Sequence, residues 1–265
     1  MRHGLILSLT LATALPALAH DTWVQTNTNL IRTGDAVHID LMLGNHGNDH
    51  RDFKLASKPD LDGATLAVTD PAGKTFDVIP KLADLGYAPK EGFHSAKFAA
   101  DKPGLYVVSH TQDKVVNHGK PVRSIRSAKA FFLISPTLDK VSRDWKGFDK
   151  PLGHALELVP DAHPITPMGP GVEMKVRVLF QGKPLPEARV SFIPRGETLA
   201  ADFDKNFERK TDTLGKAAFT PKTGNYYLIV VHHKEAASGK AEYDTIAYTA
   251  TLTIFVPDIC PCCGE

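Results

Sequence analysis

Apolar and polar residues alternate with a period of two through most of this chain, and no long stretch carries helical periodicity. Val37, Ile39, Leu41 and Leu43 alternate with His38, Asp40 and Met42, which predicts one half-buried strand. Residues 65–68 run through Asp70-Pro71-Ala72-Gly73 into residues 75–79: strand, tight turn, strand. Pro presets the φ of such a turn, and Gly supplies the conformation that other residues avoid. Residues 104–110 and 128–134 predict two more strands, and the charged run 137–150 is the place for a helix or a long connector.

A second set of strands begins near Leu156. It takes in residues 172–179, a turn at Gln181-Gly182-Lys183-Pro184, then residues 188–192, 216–219, 224–231 and 247–256. Short strands at fairly even spacing predict an all-β protein. The expected architecture is two β-sandwich domains in tandem, immunoglobulin- or prealbumin-like, over residues 20–135 and 152–258. A connector covers 136–151, and a Cys-rich tail covers 259–265.

Residues 1–19 predict a cleavable secretory signal. A basic start, Met1-Arg2-His3, leads into an apolar run from Leu5 to Leu15 and then Ala17-Leu18-Ala19, a small-x-small cleavage box. That run is shorter than the roughly 20 residues a membrane helix needs. Cleavage after Ala19 releases a chain beginning His20-Asp21-Thr22-Trp23, expected in the periplasm with no further membrane insertion.

Lys plus Arg number 31 against 30 for Asp plus Glu, so no charge field points to nucleic acid. All three cysteines fall at the C-terminus, as Cys260, Cys262 and Cys263. The body therefore has no internal disulfide and depends on packing, although an exported protein's compartment permits disulfides.

In the second half, Gly182-Lys183-Pro184-Leu185, Thr211-Asp212-Thr213-Leu214-Gly215 and Gly224-Asn225-Tyr226-Tyr227 resemble the carboxypeptidase-regulatory-type β-sandwich. Asp212 and Gly215 suit a polar turn. Over most of its length the chain is similar to the NikM-like family of periplasmic proteins. That likeness is carried by Ala19-His20-Asp21-Thr22-Trp23, Val68-Thr69-Asp70-Pro71-Ala72-Gly73, Lys102-Pro103-Gly104-Leu105-Tyr106, Leu156-Glu157-Leu158-Val159-Pro160 and the Gly-Lys-Pro-Leu segment. The resemblance implies a component of nickel or cobalt uptake.

His20 is the leading candidate ligand. As a mature N-terminus it offers an α-amine and an imidazole on one residue, and amines of this kind titrate near 7.7–8.0, so a metal can displace the proton. Imidazole suits Ni, Co, Cu and Zn alike. The amino-terminal hook that needs His at mature position three is missing, because Thr22 stands there. His46 and His50, with Asp49 and Asp52, lie in one polar loop that serves equally as an ion site or a solvated connection. His94, His110 and His118 fall near strand ends where a site shared with His20 is geometrically allowed, with a packed histidine as the competing role. His232-His233 reads as a solvated strand end in the second sandwich, its two rings on opposite faces. The Cys260–Cys263 segment serves as metal-capture tail, redox tag or flexible relic.

Catalytic motifs are missing: there is no Gly-x-Ser-x-Gly elbow, no His-Glu-x-x-His and no phosphate-binding Gly loop. The sequence therefore predicts a non-enzymatic transition-metal-binding protein that supports uptake or delivery and docks on a membrane transporter. The alternatives are a structural or adhesion-type module and, further off, a copper-dependent oxidative enzyme with an N-terminal histidine brace.

Overall fold

Residues 128–134 form a nearly continuous apolar run, the pattern of a strand covered on both faces, and this strand organises the molecule. The computed structural model describes residues 20–46, 51–117, 119–139, 141–200, 202–239 and 242–260. The first half holds β1 (His20–Thr26), β2 (Leu30–Arg32), β3 (Ala36–His46), β4 (Arg51–Ser57), β5 (Ala64–Thr69) and β6 (Thr75–Asp77), then β7 (Ala83–Asp84), β8 (His94–Ala99), β9 (Gly104–Asn117) and β10 (Pro121–Ser135). The second half holds β11 (Leu156–Pro160), β12 (Met174–Phe180), β13 (Lys183–Pro184), β14 (Arg189–Pro194), β15 (Glu208–Lys210), β16 (Lys216–Phe219), β17 (Asn225–Ala236) and β18 (Thr245–Val256). One 3-10 turn, Ile79–Lys81, is the only helical element among the described residues. The protein is all-β.

The strands make three sheets. One runs β1-β3-β8-β7 with β4 on β3, and one runs β11-β12-β13 with β16 on β12. Between them lies a nine-stranded sheet, β15-β14-β17-β18-β10-β9-β5-β6, with β2 on β10. Its two halves meet where β10 and β18 pair in parallel, from Val122 opposite Thr245 to Ala130 opposite Thr253. Two sandwiches thus share one layer. Ala128, Ala130, Phe132 and Ile134 of β10 enter the first core with Val24, Ile39 and Tyr106. Phe131 and Leu133 enter the second with Leu156, Val176 and Ile229.

The turns form as their residues require. Asp70 Oδ1 accepts N–H bonds from Ala72 and Lys74, closing the hairpin between β5 and β6. Asp212 Oδ1 does the same for Leu214 and Lys216, while Gly215 sits at φ 73°. A Cβ at Gly215 would lie 2.6 Å from the Val178 carbonyl, so only glycine fits.

The segment read as a connector is anchored to the second sandwich. Val141 is buried, and Trp145 and Phe148 pack on that core. Thr166 Oγ1 also donates to the Ser142 carbonyl at 3.3 Å. Val141, Trp145 and Phe148 outweigh the charges around them because each has a core face beside it.

Candidate functional site

β1 sets the site. His20 is exposed, and all six residues that follow it are buried. The strand is wedged between layers: on one edge it pairs with β3, with His20 opposite Asn45 and Val24 opposite Leu41. Its two faces then divide. Val24 enters the first core, whereas Trp23 packs with Phe53, Ile193, Leu228 and Val230 in a smaller cluster that includes both halves. Thr251 on β18 donates its hydroxyl to the Thr22 carbonyl at 2.9 Å. His20 is therefore the surface end of a strand held by both sandwiches.

Next to it lies a polar row. His232 on β17 pairs in register with Thr249 on β18, which pairs with Arg126 on β10. Asp21, 1% exposed, lies over this row with Oδ1 2.9 Å from His232 Nε2. A carboxylate only accepts, so Nε2 carries the hydrogen, and in the neutral ring Nδ1 holds the lone pair. Arg126 Nη1 donates to Thr22 Oγ1 at 3.4 Å and Nε to Ser124 Oγ at 3.1 Å. Burial pulls the Arg126 pKa below its ordinary value, and the Asp21 charge opposes that fall.

His232 was expected as a solvated strand end remote from the N-terminus; it instead contacts the residue beside His20. The two residues are 211 positions apart in the chain, so no local spacing could reveal the contact. The opposite facing of the neighbouring rings holds: His233 lies against Phe180, ring centroids 4.4 Å apart, in the other layer.

The remaining histidines divide. His46 ends β3 opposite Arg51, and His94 on β8 pairs with Leu41. The register brings His46 to the end of the sheet where His20 starts β1, and places His94 level with Val24. The His94 ring is buried, with Nε2 3.0 Å from the Pro59 carbonyl. His110, 1% exposed, donates Nδ1–H to the Thr65 carbonyl at 2.7 Å, and its Nε2 is buried without a hydrogen-bond partner. Burial lowers its pKa to about 4. His50, His118 and Asp49 lie outside the described residues. Among the described residues, no group of three or more His, Cys, Asp or Glu is placed to hold a metal ion.

His154 was not singled out from the sequence. It lines a cleft of about 290 Å³ with Gly63, Thr111, Ile125 and Ser127. Its polar neighbours are engaged elsewhere: Ser127 donates to the Leu156 carbonyl, and Thr111 bonds Thr65. Burial and the nearby Lys129 charge lower the His154 pKa to about 4.

Beside His20, the Asp21 carboxylate is bonded to the His232 imidazole, and the Arg126 guanidinium lies close by. Cys260 is distant: β18 passes His232 at Thr249 and ends at Val256, a run of roughly 23 Å at the usual strand rise. Cys260 lies beyond that end.

The family described as a domain of unknown function, DUF4198, matches residues 17–235. The chain belongs to this family. No curated protein matches it. Among solved structures, the D0-D1 domain of intimin is 15% identical, with 89% of this chain and 98% of that chain covered, at a TM-score of 0.23. Trypsin-activated α-2-macroglobulin from Escherichia coli is 14% identical over 92% of this chain and 16% of that one, TM-score 0.26. A DUF4785 family protein from Legionella pneumophila is 12% identical over 78% and 50%, TM-score 0.26.

Proposed function

We propose that this DUF4198 protein is an exported, periplasmic binding protein for a transition-metal ion, captured at its processed N-terminus for uptake or delivery. One observation carries this reading: His20 is exposed at the head of a strand whose next six residues are buried. A chelating amine and imidazole on a flexible tail would have to be ordered by the ion. Here the strand has already met that entropic cost. Nitrogen donors make Ni, Co, Cu(II) and Zn the ions to consider. The NikM-like resemblance favours nickel or cobalt, with a membrane transporter as the docking partner, and the function is binding rather than catalysis.

The test is elemental analysis and titration calorimetry on protein that begins at His20, set beside protein that retains Ala19. The extra residue turns the amine into an amide, a poor ligand, and leaves the fold alone. Processed protein should bind one of the four ions at least tenfold tighter, about 1.4 kcal/mol. Equal binding by the two forms would remove the N-terminal site. A failure of both to bind would favour a purely structural β-sandwich.

A further inference from the structure

We propose that the cleft beside His154 binds a small, uncharged, hydroxylated molecule of monosaccharide size, a sugar or a cyclic polyol. This site is independent of metal capture at His20, because the two lie on opposite faces of the shared sheet. Ile125 and Ser127 of β10 face the second sandwich, where Ser127 donates to the Leu156 carbonyl. Arg126, between them, reaches Thr22 of β1 on the other face.

Size and shape come first. The cleft holds about 290 Å³, at the lower end of the roughly 300–1,000 Å³ usual for ligand pockets. Thr111 stands opposite Ser127 and Asp113 opposite Ile125, so these four residues share one face of the sheet and form the floor. Gly153, His154 and Ala155 form the wall. That wall is fixed: the backbone N–H groups of Gly153 and His154 donate to the buried Glu157 carboxylate at 3.0 and 3.1 Å. A ligand would therefore meet groups already ordered, which lowers the cost of binding.

The chemistry of the lining selects the ligand class. His154 Nδ1 is buried without a hydrogen-bond partner; Nε2 also makes no hydrogen bond among the described residues and is the nitrogen that solvent reaches. The ring stays uncharged down to about pH 4. Asp113 is matched by Arg123, whose Nε and Nη2 donate to its two oxygens at 2.9 and 2.6 Å. Arg126 turns to the other face, so the lining offers no charge in search of a counter-ion, and ions are disfavoured. Each Asp113 oxygen keeps a lone pair, as does the Thr111 hydroxyl, which is bonded to Thr65 at 2.8 Å. A hydroxyl both donates and accepts, so it suits Asp113, Thr111 and either tautomer of His154. Ile125 and Ala155 supply apolar surface for the C–H face of a ring.

The experiment uses the chain beginning at His20, without metal, and D-glucose, D-galactose and myo-inositol as probes. Glucuronate is the charged comparator and indole the flat apolar one. Binding is followed by saturation-transfer NMR and by the His154 imidazole resonances. At least one neutral probe should bind saturably and shift those resonances. His154→Phe keeps the ring volume, removes Nε2 and should weaken that probe about tenfold; Thr111→Val removes one hydroxyl and should cost about threefold. His38→Phe, at an exposed position on the first sandwich, should change nothing. Circular dichroism checks each fold, and Thr111→Val decides should His154→Phe fail to fold. A parent chain that binds none of the three neutral probes overturns the site, as do folded variants that bind like the parent. Tighter binding of glucuronate or indole than of every neutral probe overturns the ligand class.

Discussion

Lys129 of β10 and Glu157 of β11 form an ion pair at 3% and 2% side-chain exposure, joining the shared sheet to the first strand of the second sandwich. Lys129 also donates to the Leu158 carbonyl at 3.1 Å. The Glu157 carboxylate accepts backbone N–H bonds from Leu152, Gly153 and His154 at 2.5, 3.0 and 3.1 Å. Burial works against the charge on both partners. At Glu157 the Lys129 ammonium and the backbone donors outweigh it and hold the carboxyl below its ordinary value.

Breaking this pair from one side should therefore cost more than removing it whole. Glu157→Gln strands a buried ammonium and should destabilise the protein by about 3–5 kcal/mol. Lys129→Met with Glu157→Leu removes both charges; of the three N–H groups that lose their acceptor, Leu152 and Gly153 belong to exposed residues that water can reach. The double variant should then cost about 1–3 kcal/mol, the penalty of one stranded donor, less than the single one. Urea denaturation of the two checks the order. A double variant that is the less stable would mean the pair is worth more than its desolvation.

Trp23 gives a second prediction. It is 3% exposed, meets Phe53 edge-on at 5.4 Å, and packs against Leu228 and Val230 of the other half. Trp23→Ala should cost about 3–5 kcal/mol. Its indole Nε1 is buried without a hydrogen-bond partner, so Trp23→Phe loses no bond and should be far milder. Thermal melts of both variants decide. Equal losses would show that ring volume, not apolar contact, governs the site.

The all-β class and most long strands were legible because their alternation is local: β3, β5, β9, β12 and β18 each carry it in their own residues. β1 was not. His20-Asp21-Thr22-Trp23-Val24-Gln25-Thr26 mixes polar and apolar residues, and Asp21 to Thr26 are all buried because both faces and one edge are covered. The shared layer was hidden for a related reason. The apolar run in β10 records burial on both faces but not that its sheet continues, through β18, into strands more than a hundred positions away. His20 was legible as a candidate ligand because its chemistry is its own. The contact of His232 with Asp21 was not legible, because the two stand 211 positions apart in the chain.

The tail yields a third prediction. Ile259 is 74% exposed, while Asp258 packs so closely on Gly224 that a Cβ there would lie 2.3 Å from its Oδ1. Truncation after Asp258 should leave Tm within a few degrees, since exposed termini contribute little. A large drop would show that residues 259–265 are packed. Truncation should also leave Ni(II) affinity unchanged, because Cys260 lies past the far end of β18 from His232.

Acid provides the last prediction. His110, His154 and His163 each titrate at about 4 rather than 6.5, burial being the first cause in every case, with Lys129 adding at His154 and Lys146 at His163. His163 Nδ1 accepts the N–H groups of Ile165 and Thr166 at 3.1 and 2.9 Å, a role protonation would end. The sign follows from which state binds the proton. Above pH 6.5 these rings are neutral folded and unfolded, and they add no pH dependence. Below it the unfolded chain takes protons that the folded chain refuses, so stability falls until the pH reaches about 4. At 1.36 kcal/mol per pKa unit, one such histidine removes ~3 kcal/mol at the bottom of that window. Urea midpoints measured from pH 7.5 to 4.5 should therefore fall steeply below 6.5. Asn places a polar atom near the position of Nδ1, so His163→Asn keeps an acceptor and His110→Asn keeps a donor to Thr65, while neither titrates. Each should flatten the fall by its own share. An undiminished slope in both would mean that carboxylates, not these rings, govern the acid limb.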